Sequence, residues 1–386
     1  MSDFIKRKKM GEIELKLNEF LNKKPLFYNE IDYDRMPNCW NIIKNSFKKP
    51  KKIIHIIGTN AKGSTGRFLA HYLKNMGFNV GHYTSPHIQK FNERIWINGK
   101  DIDDESLEKA HQFLQNTIPK KYLQTLSYFE YTTLLAMRCF GSCDYVVLEA
   151  GLGGERDATS VFDIDLTLVT PIDYDHQAFL GNTIKEIAKT KLNAIQKKAI
   201  IGKQIHDEVY EMTKKYPFYL DYFDNYEIVE IRKFIKENRF ASYLADNLAL
   251  ALSAVVEEEL PLDLKYLKGI ELKGRLQKID KNIYIDVGHN PLAARAIVNE
   301  FKDQKIDIIY NTYSDKDYKV ILEILKPIID TLFIIDVENE RIANKEDIIN
   351  IAKELGIDVK NYKKIRDKTT LVFGSFSVVE KFLNER

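Results

Sequence analysis

Between His55 and Thr65 the chain reads His-Ile-Ile-Gly-Thr-Asn-Ala-Lys-Gly-Ser-Thr, an apolar run closed by a tight turn that holds a lysine and several hydroxyls. Such a turn entering a helix suits phosphate. The first N–H groups of a helix starting near Gly63 point outward unpaired, its dipole adds positive potential, and Lys62 supplies a full charge. Thr59, Asn60, Ala61, Lys62, Gly63 and Ser64 are therefore expected to cradle a triphosphate. The usual phosphate loop has Gly where this chain has Ala61, and a hydroxyl directly after the lysine, where it has Gly63. Ser64 offers the hydroxyl one place later. A glycine-containing strand-to-helix turn also occurs in α/β proteins that bind no nucleotide, so Lys62 carries most of the weight.

Four further segments fall where strands are expected to end. In Tyr83-Thr84-Ser85-Pro86-His87, Pro86 sets a turn and Ser85 presents its hydroxyl at the sheet edge, although alone it reads as a loop serine. Glu149 directly follows Val146-Val147-Leu148, as a strand-end acid serving a metal does, and Gly151, Gly153 and Gly154 let backbone approach a ligand. His176, in Asp173-Tyr174-Asp175-His176, can hold a metal through a neutral ring nitrogen. Its strand is expected to neighbour the one that Glu149 ends. Asp286, in Asp286-Val287-Gly288-His289-Asn290-Pro291, ends another strand before a proline placed to open a helix. Lys191 lies on an amphipathic helix, where a lysine is by default solvent-exposed.

The elements that must position these residues alternate. Strands are expected at Ile53 to Ile57, Asn79 to Tyr83, Tyr145 to Leu148, Leu166 to Thr170 and Ala199 to Gly202, with helices at Ser64 to Met76, Ser106 to Asn116, Phe129 to Phe140 and Ile184 to Ile195. That alternation predicts an α/β fold: a phosphate-loop, mononucleotide-binding domain built on a parallel sheet, with ligands at the carboxyl ends of its strands. A long helix from Ser242 to Glu259 is followed by the polar segment Leu272-Lys273-Gly274-Arg275 and a new strand, Ile283 to Val287. The division is placed there, giving a nucleotide-binding domain over 1–273 and a smaller Rossmann-like α/β domain over 274–386. In the latter, strands are expected at Ile306 to Tyr310, Thr331 to Val337 and Leu371 to Phe373.

Composition narrows the partners. The 386 residues suffice for two or three domains, and 58 basic against 56 acidic side chains leave +2, too little for a global field toward nucleic acid or membrane. The lysine-rich segments at 47–52 and 360–368 lack a clustered aromatic platform, which argues against a nucleic-acid module. Cys39, Cys139 and Cys143 form no disulfide framework and no zinc spacing; Cys139 and Cys143 are expected one turn apart on a helix. No apolar run reaches membrane-spanning length, and charged Met1 to Lys9 precedes no hydrophobic stretch, so a reducing cytoplasm is the expected compartment.

Together the motifs GTNAKGS at 58–64, YTSPH at 83–87, SYFEY at 127–131, LEAGLGG at 148–154, DH at 175–176 with LGNTIKEIAKTK at 180–191, GR at 274–275 and DVGHNP at 286–291 resemble the folylpolyglutamate synthase and dihydrofolate synthase family of the Mur ligase superfamily. The resemblance spans nearly the whole chain, in order. It implies an ATP-dependent amide ligase that adds L-glutamate to dihydropteroate or a folate through an acyl phosphate, as a monomer with ATP and two Mg²⁺ ions. Carried over residue by residue, it implies that Lys62 neutralises phosphate charge, that Ser85, Glu149 and His176 hold magnesium, and that Lys191 bears a carbamate that joins them. It places Asn247, Arg275 and Asp286 at adenine, phosphate and ribose. Ser127, Tyr128, Phe129, Glu130 and Arg156 would line the pteroate site, where aromatic faces suit a planar pterin. His289 and Ser375 would lie near the glutamate. The chain departs from the family pattern at Ala61, at Glu155-Arg156 where Arg is usual one place earlier, at Thr190 where Glu usually precedes the modified lysine, and at Leu192-Asn193-Ala194.

Two other readings compete. A peptidoglycan-type ligase of the same superfamily would carry an additional N-terminal substrate domain, and about 50 residues before the first nucleotide-binding strand are too few for one. A phosphate-loop ATPase with a conformational output would turn over without glutamate.

Overall fold

Lys52–Ile57 (β1), all isoleucine and histidine after its first lysine and buried from Ile53 onward, is an inner strand of a seven-stranded sheet. Its partners are Val80–Tyr83 (β2), Ile95–Ile97 (β3), Lys100–Asp101 (β4), Tyr145–Glu149 (β5), Leu166–Val169 (β6) and Lys198–Ile201 (β7), in the order β4-β3-β2-β5-β1-β6-β7. The five strands from β2 to β7 in that order run parallel, and β3 and β4 form an antiparallel edge. In this computed structural model residues 15–24 and 32–386 are described. The charged segment Met1 to Lys9 lies outside them.

Parallel strands covered on both faces need apolar residues at successive positions, and β1 divides its isoleucines accordingly. Ile54 and Ile56 pack with Phe68, Leu69 and Tyr72 of the helix Lys62–Asn75 and with Leu248 and Ala251 of the helix Leu244–Glu257. Ile53 packs with Leu134 and Leu135 of the helix Tyr128–Cys139 on the opposite face. Ile56 is level with Glu149 and Ile57 with Val169, so β5, β1 and β6 finish at one height.

A second sheet has six strands: Gln277–Asp280 (β8), Ile283–Asp286 (β9), Ile306–Tyr310 (β10), Ile329–Ile334 (β11), Val359–Asn361 (β12) and Thr370–Phe373 (β13), in the order β12-β11-β10-β13-β9-β8. All pair in parallel except β8 with β9. The expected α/β architecture, a phosphate-loop sheet followed by a smaller Rossmann-like one, is the architecture found. Ile88, which follows β2, is buried among Ile285, Val287 and Val379 of the second sheet's layer, so the two sheets share an apolar contact.

Three expectations change. The strand that leads to His176, β6, does not neighbour β5, because β1 lies between them. Cys143 lies beyond the helix Tyr128–Cys139 rather than on it, because the turn at Gly141 ends the helical run. The short strands β3, β4, β8 and β12, at or next to a sheet edge, had no counterpart in the sequence reading; two to four residues long, they carry too little alternation to register.

Candidate active site

At the carboxyl end of β1 the chain must turn sharply from strand to helix. Gly58 makes the turn at φ 141°, and a Cβ there would lie 2.0 Å from Thr170 Oγ1, so both conformation and space require glycine. Thr170 Oγ1 donates toward Ile57 O and Asn60 O, and Thr59 N–H donates to Pro171 O at 2.8 Å, which ties the turn to the end of β6. Ala61 sits at φ 70°, in the left-handed region that costs an alanine about 1 kcal/mol. The first helical bond is Thr65 N–H to Ala61 O, leaving the N–H groups of Lys62, Gly63 and Ser64 without an acceptor inside the helix. Lys62 Nζ rests on Gly58 O and Thr59 O, each at 3.1 Å. Ser64 Oγ donates to Ala61 O and accepts from Asn247 Nδ2 at 2.9 Å.

Thr59 to Ser64, Ser85, Glu149, His176, Asn247, Arg275, Asp286 and His289 all line one cleft of about 460 Å³ between the two sheets. Thirteen of the residues singled out from sequence therefore meet in one place. Glu149 is buried, and its Oε2 accepts from the Thr84 hydroxyl and from Ser85 N–H at 3.2 Å. His176, beyond β6 on the other side of β1, lines the same cleft and opens a short helix at φ 51°. Desolvation lowers the His176 ring to about 4, with Lys316, Lys191 and Lys62 adding to the effect and Asp175 opposing it. The ring is therefore neutral at pH 7 and has a lone pair to offer.

Lys191 does not line the cleft wall and, against expectation, is not solvent-exposed. It is 4 % exposed and its Nζ donates to Gly58 O at 3.0 Å, directly behind the phosphate loop. Burial, with the Lys62 charge adding to it, lowers its ammonium to about 7 against the pull of Asp175 and Asp157. The backbone beside it is so close that a Cβ on Gly154 would lie 2.6 Å from Lys191 O. That contact explains why the loop after β5 needs glycine there.

The residues assigned to pteroate, and Ser375 of the two assigned to glutamate, are not on the cleft wall. Ser127 and Glu130 form a reciprocal capping box at the start of the helix Tyr128–Cys139, and Glu130 is also paired with Arg35 at 2.8 Å. Their polar atoms are thus occupied within the fold. The Phe129 ring lies 5.9 Å from that of Tyr83, tilted by 31°, Tyr128 receives the Arg94 guanidinium over its ring, and Arg156 is exposed with its guanidinium over Tyr33. Ser375 is fully buried and caps the helix Phe376–Asn384 by accepting from Val378 N–H. A serine at a strand-to-helix turn is placed for that cap, and it does not reach the cleft wall.

His289 Nδ1 donates to Val287 O at 3.0 Å, which leaves Nε2 as an acceptor, and burial followed by the Lys316 charge lowers its pKa. Asp286 is buried and accepts from Tyr243 OH, Leu276 N–H and Gly288 N–H; burial raises its pKa against those bonds and the nearby Arg275.

Three residues of the site escaped the sequence reading. Lys316, 6 % exposed, pairs with Asp175 at 2.8 Å and so joins the second sheet to the His176 segment. Burial would raise the Asp175 carboxyl, but His176 and Lys316 hold it well below the usual carboxylate range. Asn290 exchanges two amide hydrogen bonds with Asn60, at 3.0 and 2.7 Å. Asp157, fully buried, accepts from Gly151 N–H, Leu152 N–H and Thr159 N–H and so fixes the glycine loop; burial raises its pKa. Its signal was a carboxylate three residues past the second of paired glycines.

Among the described residues no three His, Cys, Asp or Glu side chains cluster as a ready metal cage. The donors at the cleft, one strand-end carboxylate, a neutral imidazole and a serine hydroxyl, suit a hard cation that keeps water and takes phosphate oxygens for the rest of its shell. Glu149 Oε1 has no hydrogen-bond partner among the described residues, which leaves it available to such an ion.

No family model matches the chain. It is similar to the dihydrofolate synthase/folylpolyglutamate synthase of Haemophilus influenzae, 30 % identical over 390 residues that cover 86 % of this chain and 88 % of that one. Its fold matches the crystal structure of Helicobacter pylori folylpolyglutamate synthetase with a TM-score of 0.76 at 38 % identity, over 95 % of this chain and 97 % of that one. It also matches, with a TM-score of 0.78 at 24 % identity over 96 % and 98 %, the bifunctional folylpolyglutamate synthase/dihydrofolate synthase of Yersinia pestis with Mn, AMPPNP and L-glutamate bound.

Proposed function

The chain belongs to the dihydrofolate synthase/folylpolyglutamate synthase family, and on that premise we propose how its own residues carry out ATP-dependent addition of L-glutamate to dihydropteroate or a folate. The observation that carries the assignment is the convergence of Lys62, Glu149 and His176 on one cleft, with Lys191 directly behind the phosphate loop.

The acceptor carboxylate attacks the γ-phosphorus of ATP and expels ADP, giving an acyl phosphate. The glutamate amine then attacks the acyl carbon, phosphate leaves, and the amine loses its proton as the amide forms. Both partners of the first step are anions, so their mutual repulsion is the main electrostatic obstacle. Lys62 Nζ exchanges its two resting carbonyls for phosphate oxygens, and the N–H groups of Lys62, Gly63 and Ser64 hold the phosphate chain. Asn247, Arg275 and Asp286 take the adenine, phosphate and ribose ends. Ser85, Glu149 and His176 would hold magnesium, which supplies charge neutralisation between the phosphate and the carboxylate.

Lys191 is proposed to carry a carbamate. An amine lowered to about 7 is largely unprotonated in mildly alkaline solution and can attack carbon dioxide, losing a proton to become an anionic oxygen donor. His289, with Nε2 unprotonated, is placed to accept a proton from the incoming amine. The aromatic group of Tyr128 and Phe129, with Arg156, remains the proposed pteroate wall.

We further place the domain division at 273/274 and the enzyme in the cytoplasm as a monomer, with the three unpaired thiols as support for a reducing compartment. The relatives' ligands support a nucleotide and a divalent ion as reactants for this chain too. The experiment is ADP formation with ATP, Mg²⁺ and glutamate, comparing dihydropteroate with tetrahydrofolate. Turnover that requires glutamate and one acceptor is expected. ATP hydrolysis indifferent to both would overturn the ligase in favour of an ATPase with a conformational output.

A further inference from the structure

A second cavity, of about 510 Å³, opens off the nucleotide cleft along the helix Lys62–Asn75 and shares Gly63, Ser64, Ser85 and Arg275 with it. Arg67, His71 and Lys74 line this cavity from positions i, i+4 and i+7 of that helix, so three basic side chains stand on one face. From Gly63 to Lys74 the helix advances roughly 16 Å at 1.5 Å per residue. The row therefore leads away from the phosphate loop for a distance longer than a single small anion.

Arg67 has no counter-ion in contact. Its guanidinium lies over the Trp96 ring, 4.6 Å from the centroid, and makes no hydrogen bond and no ion pair among the described residues. Burial lowers it from 12.5 to about 10, with Asp101 opposing. His82 lines the same cavity at 1 % exposure, and neither of its ring nitrogens has a partner. A buried polar group without a partner is unfavourable until one is supplied. Of the three acids on the cavity wall, Glu93 is spent on the N–H groups of Ile88, Gln89 and Lys90, Asp101 is paired with Lys273 at 2.9 Å, and the exposed Glu271 makes no ion pair with Arg67.

We propose that this cavity receives the glutamyl tail of an acceptor that already carries several glutamates, with Arg67 taking a tail carboxylate and His71 and Lys74 lining its further course. The inference rests on the ligase reading above. The terminal carboxylate of such an acceptor must reach the Ser64 and Glu149 end of the cleft, so its earlier glutamates must run away from that end. A chain bearing one carboxylate per residue is the ligand that a wall carrying the Arg67 and Lys74 charges fits. Dihydropteroate, which has no glutamate, would leave the cavity unused.

The test has two arms. The chain has two tryptophans, so in a Trp40→Phe background Trp96 is the only reporter. Titration with triglutamate alone, without nucleotide, is expected to change Trp96 emission saturably, to lose that change in Arg67→Ala and to keep part of it in the charge-conserving Arg67→Lys. In steady state, Arg67→Ala is expected to raise KM for a triglutamyl folate at least tenfold more than KM for dihydropteroate. Equal rises for both acceptors, or an emission change untouched by Arg67→Ala, would overturn the proposal. Should the unmodified enzyme form no ADP with any acceptor, the ligase reading fails, and the emission arm, which needs no turnover, still decides the cavity.

Discussion

Replacing Lys316 by methionine removes one partner of a buried ion pair that spans the two sheets and leaves Asp175 charged and enclosed. The pair is 2.8 Å long, with side chains 6 % and 13 % exposed. At an effective dielectric of 20, Coulomb's law gives roughly 6 kcal/mol for unit charges at that distance, most of it offset by the desolvation of both groups. Intact, the pair contributes little net stability; broken, it leaves an unpaired charge that costs about 3–5 kcal/mol. Lys316→Met should therefore lose about that much, while Lys316→Met combined with Asp175→Asn should recover part of it. Asp315 at 3.4 Å from Lys316 and His176 at 3.8 Å from Asp175 blunt the recovery, so a coupling of about 2 kcal/mol is expected. Urea unfolding of the four proteins at pH 7.5, followed by circular dichroism in the presence of chelator, measures it. Small-angle scattering of the single variant should report a larger radius of gyration, since the contact holds the sheets together. A coupling under about 0.5 kcal/mol would refute the reasoning.

Lys62→Ala should lower glutamate-dependent turnover by at least about a hundredfold with an unchanged circular dichroism spectrum, because phosphate charge loses its fixed partner; retained activity would reject the phosphate-loop assignment. Ala61→Gly should raise stability by about 0.5–1 kcal/mol in urea, since glycine adopts φ 70° without strain, part of the gain being offset by its larger unfolded-state entropy. Asp157→Ala should cost about 2–4 kcal/mol by leaving three buried N–H groups without their acceptor, read from the same midpoints. For Lys191, whose folded pKa of about 7 lies below its unfolded 10.5, the penalty of burying the amine is absent above pH 10.5, grows as pH falls and is complete below 7. In metal-free, carbonate-free buffer, stability should therefore rise by about 1.4 kcal/mol per pH unit between those values, and Lys191→Met should flatten that slope.

What could be seen from sequence was the chemistry carried by contiguous residues. The role proposed for Thr59 to Ser64 rests on their own backbone and one lysine, so a short run of letters suffices to place them. Glu149 was equally legible because a strand end is marked by the switch from apolar to acidic. Lys316 was not, because it meets Asp175 across 141 positions and its own surroundings, Ser-Asp-Lys-Asp, read as an ordinary solvated charge run. Asn290 and Asn60, 230 positions apart, were hidden in the same way. Strand order failed for a related reason: parallel neighbours are joined through crossovers, so nothing local told that β1 would come between β5 and β6. Ser127, Glu130 and Ser375 carried a different ambiguity. Serine followed three residues later by glutamate is a helix-capping signal as well as a polar pair, and in this fold their polar atoms make the cap.

The contacts between the sheets indicate how the site works as a whole. Asn60 with Asn290, Asp175 with Lys316, and Tyr243 with Asp286 are all polar and all involve residues at the cleft or beside it, whereas the apolar contact through Ile88 lies at one side. A polar interface can exchange its bonds with water at modest cost, which makes relative motion of the two sheets the expected behaviour. An acyl phosphate is lost to water unless the cleft is closed when it forms. Asn60 belongs to the proposed phosphate loop and Asp175 adjoins His176, so two of the bonds between the sheets lie beside the place proposed for the triphosphate. Residues of the turn proposed to hold nucleotide thus also carry a contact between the sheets.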